Sequence, residues 1–280
     1  MLDHHIALVP GHQMGPRHRQ AVLTELAAVA AALQVQVMRD FRPLWHIEAT
    51  IGIFPTIRDV PVGHWPIVIK DKINAADELG FHLDKHNQPS ALVAYTPDWS
   101  ITMSHEVLEM LVDFSGNRTV AGPSIHPDHP NHRVRYLLEL CDPCEDSTYR
   151  YTINGVAVSD FITPAYHDPQ DTHGARYSFA GHIKRPRQVL PNGYLVWHDP
   201  IVGKWFRWDQ GETSGADDFE ISTVTGMQGK RSLREHVNTK TPPPSASYHH
   251  DSAEMRAARA RRKGAIESSA ADAKRLGRLG

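Results

Sequence analysis

The chain is poor in cysteine, in net charge and in long apolar runs, and each shortage removes a class of protein. Two cysteines in 280 residues supply no disulfide framework, so the core has to come from the 40% of residues that are hydrophobic. A formal net charge of −2 gives no global case for nucleic acid or for a strongly charged partner. No run approaches 18 apolar residues, which speaks against a membrane span. The opening MLDHHIALVPGH lacks the basic start and cleavage pattern of a signal peptide, so a cytoplasmic location is expected. No internal repeat is apparent. The two cysteines, Cys141 and Cys144, form a CxxC that matches half of a zinc site, but no second CxxC or HxxxH completes it. A redox pair would sit better at a helix start than before Asp142 and Pro143. Reduced structural thiols are expected, with ligation or a disulfide as alternatives.

What the chain does contain is SHEVLEM at 104–110. On a helix, His105 and Glu109 share one face a turn apart, so an imidazole and a carboxylate can close on one ion. Glu106 lies about 100° round the axis, beside the place of an activated water. The familiar zinc-hydrolase spacing is HExxH, with Glu as general base and both His as ligands, and zinc also accepts a carboxylate in the second position. Thr96, Pro97 and Asp98 read as a helix start, with no Gly or Pro until after Asp113. Upstream, SALVAYT at 90–96 reads as a buried strand, and a strand beside the cleft can pair with an extended substrate. The competing reading is a solvated polar stripe on an amphipathic helix.

Two ligands do not hold a catalytic ion. Asp113 continues the i, i+4, i+8 series but stands about 12 Å along the axis from His105, too far to share the ion. The acidic stretch YLLELCDPCEDSTY at 136–149 is the better source, with Glu139 first, Glu145 second and Asp142 third. An acidic turn that merely caps an element is the alternative for each. The loop SIHPDHPNH at 124–132 offers His126, His129 and His132; in polyproline II their rings would point one way but stand roughly 9 Å apart. An exposed loop with incidental histidines is expected there.

The remaining segments suggest an α+β fold. Residues 16–33 read as an Ala-rich helix, LQVQVMRDF at 33–41 as an alternating strand, and WPIVIKD at 65–71 as another strand. YRYTI and VAVSDF flank Asn154-Gly155, a type I′ hairpin signal, and GYLVWHD with KWFRW at 194–208 predicts a second hairpin. Domain limits follow composition: 1–208 as the main domain, 209–250 as a linker containing TPPPSAS, and 251–280 as a helical or disordered tail with eight Lys or Arg against four acids. A solvated tail is the simplest reading, and contact with nucleic acid or a partner protein the functional one.

SHEVLEML, ELCDPCEDSTY and VAVSDFITPAY together resemble a group of uncharacterised bacterial and phage-associated proteins that share the order SHExxEM, ExCDPxE and VSDFxxP. That group is similar to divergent zincin metallopeptidases of HExxE type, and the resemblance covers about residues 34–166. It implies a mixed sheet packed on the active helix, His105 and Glu109 as ligands, Glu106 as base, and Glu139 to Glu145 near the metal. DFSGN departs from the Asp-Pro expected after the helix, and 114–134 reads as an expanded loop. The expectation is a zinc-dependent hydrolase of peptide or protein substrates, with one Zn2+ ion and His167 or Tyr166 as oxyanion donor; Tyr149 or Tyr151 would serve as well. The alternative is a noncatalytic binding or structural module whose basic tail makes the contact.

Overall fold

The computed structural model describes residues 4–73, 80–85, 88–213 and 219–224, and these form an α+β arrangement of two five-stranded sheets, a small hairpin and the helices between them. Strands β1 (His4–Pro10), β2 (Ala49–Ile53), β3 (Trp65–Lys70), β4 (Gly80–Lys85) and β5 (Gln88–Ala94) build the first sheet in the order β2-β1-β3-β5-β4. All neighbours are parallel except β4, which runs antiparallel to β5 at the edge. Parallel strands need long crossovers. Helix α1 (Pro16–Val35) supplies the one between β1 and β2, starting with Pro16 in its first turn, where a missing N–H costs nothing.

Val22, Leu26, Val29, Ala30 and Leu33 line one side of α1 at helical spacing and are buried with Ile6, Leu8, Ile67 and Ile69 of the sheet. The helical run Pro16–Trp45 is long and apolar enough by length and composition to cross a membrane, yet here that side packs in the core. Its continuation corrects the strand expected at 33–41: α1 passes into a π-helical turn, Gln36–Phe41, and then into α2 (Arg42–Trp45). The buried residues are Leu33, Gln36, Val37, Asp40 and Phe41, spaced three and four apart. Two of them are polar, and this hides the helical period behind an apparent alternation of Leu33, Val35 and Val37.

β5 leads into α3 (Trp99–Val112), which carries the SHEVLEM segment. The helix begins two residues later than Pro97 suggests: Asp98 is its N-cap and makes no side-chain cap bond, and Thr96 instead accepts a turn hydrogen bond at its carbonyl from Trp99 N. Met103, Val107, Leu108, Met110 and Leu111 are buried around the whole circumference, and so are Glu106 and Glu109. A helix buried on every side is a core element, which excludes the solvated stripe.

The second sheet is antiparallel. β6 (Thr119–Pro123) and β7 (Arg133–Leu137) form one hairpin, and a separate small hairpin follows, β8 (Tyr151–Ile153) with β9 (Val156–Val158). Its turn residues Asn154 and Gly155 both have positive φ, 51° and 79°, as a type I′ turn requires. β10 (Tyr194–Asp199), β11 (Lys204–Gln210) and β12 (Phe219–Val224) complete the sheet in the order β12-β11-β10-β7-β6. β11 and β12 carry the ordered fold past the expected boundary at 208, so the 209–250 linker does not begin there. Residues 225–250 and the basic stretch 251–280 lie outside the described residues.

One buried polar cluster ties these layers together behind α3. Gln36 Nε2 donates to the Ser159 carbonyl (3.0 Å) and to Tyr151 Oη (3.1 Å), while its Oε1 accepts from Ser104 Oγ (2.8 Å). Ser104 Oγ in turn accepts from Ser159 N (3.0 Å), and Tyr151 donates to Asp40 (3.0 Å). The π turn thus grips the residue immediately before His105. Gln36→Leu would keep the volume and remove three hydrogen bonds from a dry core, although Tyr151 keeps its bond to Asp40 and Ser104 its bond from Ser159 N; a net hydrogen bond is worth about 0.5–1.5 kcal/mol. Urea denaturation should show a loss of roughly 2–4 kcal/mol; an unchanged midpoint would mean that this cluster does not hold the helix.

Candidate metal centre

The i, i+4 spacing on α3 produces the geometry that it promises. His105 Nε2 lies 3.1 Å from Glu109 Oε2, and the same nitrogen lies 3.2 Å from Asp142 Oδ1. Two donors bound to one tetrahedral zinc at ~2.0–2.1 Å stand roughly 3.3 Å apart, so both separations are close to the edge of such a tetrahedron. Asp142 arrives from the other side of the site. After β7 the chain runs through Leu138, Glu139 and Leu140, bends at Cys141 (φ −104°, ψ −24°), and enters a 3₁₀ turn, Asp142–Cys144. Cys141 N donates to Glu109 Oε1 at 3.1 Å, which locks this bend to the helix.

Three overlapping sets of donors follow, each with its atoms within 4.8 Å of one another: His105, Glu109 and Cys141; His105, Asp142 and Glu145; and Glu109, Glu139 and Asp142. These buried groups can hold a metal ion. Glu106 is 2% exposed, Glu109 0%, Glu139 5% and Asp142 2%. Four carboxyl groups at that depth around one imidazole would, when ionised, carry a surplus of negative charge in a low-dielectric setting, where each ion costs several kcal/mol unless offset. A divalent cation is the natural counter-charge.

The imidazole itself reports this field. Burial alone would lower the pKa of His105, but the charge of Glu109, hydrogen bonding to Asp142 and Glu109, and the charge of Glu106 outweigh it and hold the ring well above the ordinary histidine range. The adjacent thiols respond in the opposite chemical sense. Burial and then the charge of Glu109 push Cys141 well above the usual thiol range, and burial and then Asp160 do the same for Cys144. Both cysteines are free and buried, as reduced thiols.

Among the third-ligand candidates, Asp142, ranked last from the sequence, is the one that approaches the His105 nitrogen together with Glu109. Glu139 faces Glu109 and Asp142, and Glu145 groups with His105 and Asp142. Asp113 is occupied elsewhere: its carboxylate accepts from Asn117 N (3.1 Å) and Arg118 N (2.8 Å), closing the DFSGN turn after the helix. The Tyr166 hydroxyl donates to the Gln188 carbonyl (3.1 Å) inside the core, and Tyr151 belongs to the Gln36 cluster. His167 packs on the Tyr136 and Tyr166 rings. Burial and then Arg187 lower its pKa to about 4, so the ring is neutral, and neither nitrogen makes a hydrogen bond in the described structure.

The histidine loop does not take up polyproline spacing. His129 N bonds the His126 carbonyl (3.0 Å) and His132 N the His129 carbonyl (3.2 Å), so two successive turns pile the rings into a column with centroids 4.7 and 4.8 Å apart. His132 at its end pairs with buried Asp199 at 2.6 Å. His129 and His132 stack face to face and His126 tilts against them, and among the described residues this column belongs to no donor set of the kind found at His105.

Gly193, which nothing in the sequence singles out, shapes the site from behind. A Cβ there would stand 2.7 Å from the Pro143 carbonyl oxygen and 2.8 Å from that of Asp142, so only glycine lets the 190–193 loop support the Asp142 turn this closely. Compared with known proteins, the chain significantly matches no family model, no curated protein and no solved structure.

The raised pKa of His105 has a signed consequence. A histidine whose folded pKa lies above its unfolded value of about 6.5 contributes stability that is complete below that pH and fades as pH climbs through the folded pKa. In chelator, the melting temperature should therefore fall between pH 6 and pH 8, and His105→Gln should flatten that slope. Identical slopes in the two proteins would remove the charge coupling from the site.

Proposed function

We propose that the chain is a zinc-dependent hydrolase of the zincin-like HExxE type, acting on peptide bonds. The observation that carries this reading is the approach of Glu109 and Asp142 to one His105 nitrogen at tetrahedral-edge distances, with Glu106 on the same helix. His105 and Glu109 would hold the ion with a third ligand from the 139–145 stretch, whose Glu139, Cys141, Asp142 and Glu145 lie in the three overlapping donor sets. When bound, zinc supplies Lewis acidity that polarises a scissile carbonyl and lowers the pKa of a water.

The chain's own residues do the rest. Glu106, one residue from His105, takes the proton of the attacking water and passes it to the leaving amine. Of the sequence candidates, His167 would be the oxyanion donor, because its ring is neutral and its nitrogens make no hydrogen bond, while Tyr166 and Tyr151 spend their hydroxyls on the core. β5, the strand expected to pair with substrate, is already paired on both sides by β3 and β4, so an extended peptide would add instead to β4, the edge of this sheet among the described residues. The run from β5 straight into α3 is the layout that the resemblance to HExxE zincins implies.

A second reading draws on the surplus of acid. Anionic ligands reduce the effective charge of an ion and leave its water less acidic, which suits a protein that holds metal without hydrolysing anything. Glu106→Gln separates the two. It should reduce peptide hydrolysis by about 10²–10⁴-fold while metal content stays at the wild-type level. Hydrolysis that survives the substitution would remove Glu106 as base, and metal-loaded wild type inert toward peptide libraries would favour the noncatalytic module.

A further inference from the structure

The three donor sets at the site differ in chemical softness. Glu109, Glu139 and Asp142 offer oxygen alone, a set that suits magnesium, calcium or manganese. His105, Glu109 and Cys141 offer nitrogen, oxygen and sulfur. Cys141 reaches this set for a structural reason. A pair of consecutive residues in a strand faces opposite ways, but Cys141 sits at the bend where the chain leaves the strand path, so it and Asp142 both approach the helix. Its backbone N–H is already fixed on Glu109, and its side chain is completely buried.

We propose that Cys141 joins His105 and Glu109 as the third protein ligand, leaving the fourth tetrahedral position open, and is the residue that sets metal identity, selecting zinc and similarly thiophilic ions over manganese and magnesium. This rests on reading the site as a metal centre. Nitrogen and sulfur donors sharing a tetrahedral zinc, at ~2.1 and ~2.3 Å from it, are roughly 3.6 Å apart. The donors of this set already lie within 4.8 Å of one another, so side-chain movements of about an ångström bring all three onto one ion. As the sulfur–metal bond forms, the thiol proton leaves to solvent, and no change of oxidation state is involved. Cys144, whose pKa is governed by burial and Asp160, stays a core thiol.

The test is cobalt and zinc loading of the full chain. Wild type with Co2+ should show a thiolate-to-cobalt charge-transfer band in the near ultraviolet, and Cys141→Ser should lose it. The same variant should weaken zinc binding about tenfold or more while leaving manganese within about twofold. Wild-type protein that takes up cobalt or zinc without a thiolate band overturns the ligand assignment and leaves the metal centre standing. Uptake of no ion at all overturns both. Zinc held by Cys141→Ser as tightly as by wild type also removes the sulfur ligand, and if that variant does not fold, the wild-type spectrum decides alone.

Discussion

Concentrating carboxylates around His105, deep inside the protein, is the constraint on which the rest of the structure depends. Like charges in a low-dielectric interior repel and each has lost its water, so such a cluster survives only where a cation or a rigid frame opposes the repulsion. The imidazole supplies part of that cation, and Glu109 and Asp142 hold its proton in place. A divalent ion would supply more, in the same space.

The frame is assembled from both sheets. The first sheet delivers α3 through β5, and Gln36 grips Ser104 from behind, so His105 is held from a neighbouring residue that never enters the site. The second sheet delivers Glu139 to Glu145 through β7, and Cys141 N ties that segment to Glu109. Gly193 lets the loop before β10 press on the Asp142 turn, and Leu190 N bonds the Pro143 carbonyl at 2.9 Å to keep it there. The two halves of the donor set thus come from elements far apart in sequence, each fixed by hydrogen bonds to its neighbours. Preorganisation of this kind lets a site bind without first ordering its ligands.

Local chemistry was legible in the sequence, and long-range chemistry was not. The helical pairing of His105 with Glu109 follows from spacing, as does the positive-φ turn at Asn154-Gly155. The strand misread at 33–41 shows the limit: Gln36 and Asp40 are buried because Ser104, Ser159 and Tyr151 meet them from 60 or more residues away, and no local pattern contains those partners. The close approach of Asp142 to His105 was hidden for a related reason. Ranking Glu139 above Asp142 assumed that a regular element carries the ligand past the helix, whereas the bend at Cys141 brings the residue after it to His105. The histidine column was not legible either, because it depends on two successive turns within the loop at 126–132.

The most direct measurement is elemental analysis of the untagged full chain, comparing wild type with His105→Ala and Glu109→Ala. Near one equivalent of zinc in wild type, lost in both variants while they remain folded by circular dichroism, is the expected result. No bound metal in wild type, or metal indifferent to both substitutions, would contradict the metal centre and leave His105 and its acids as a buried ion-pair cluster.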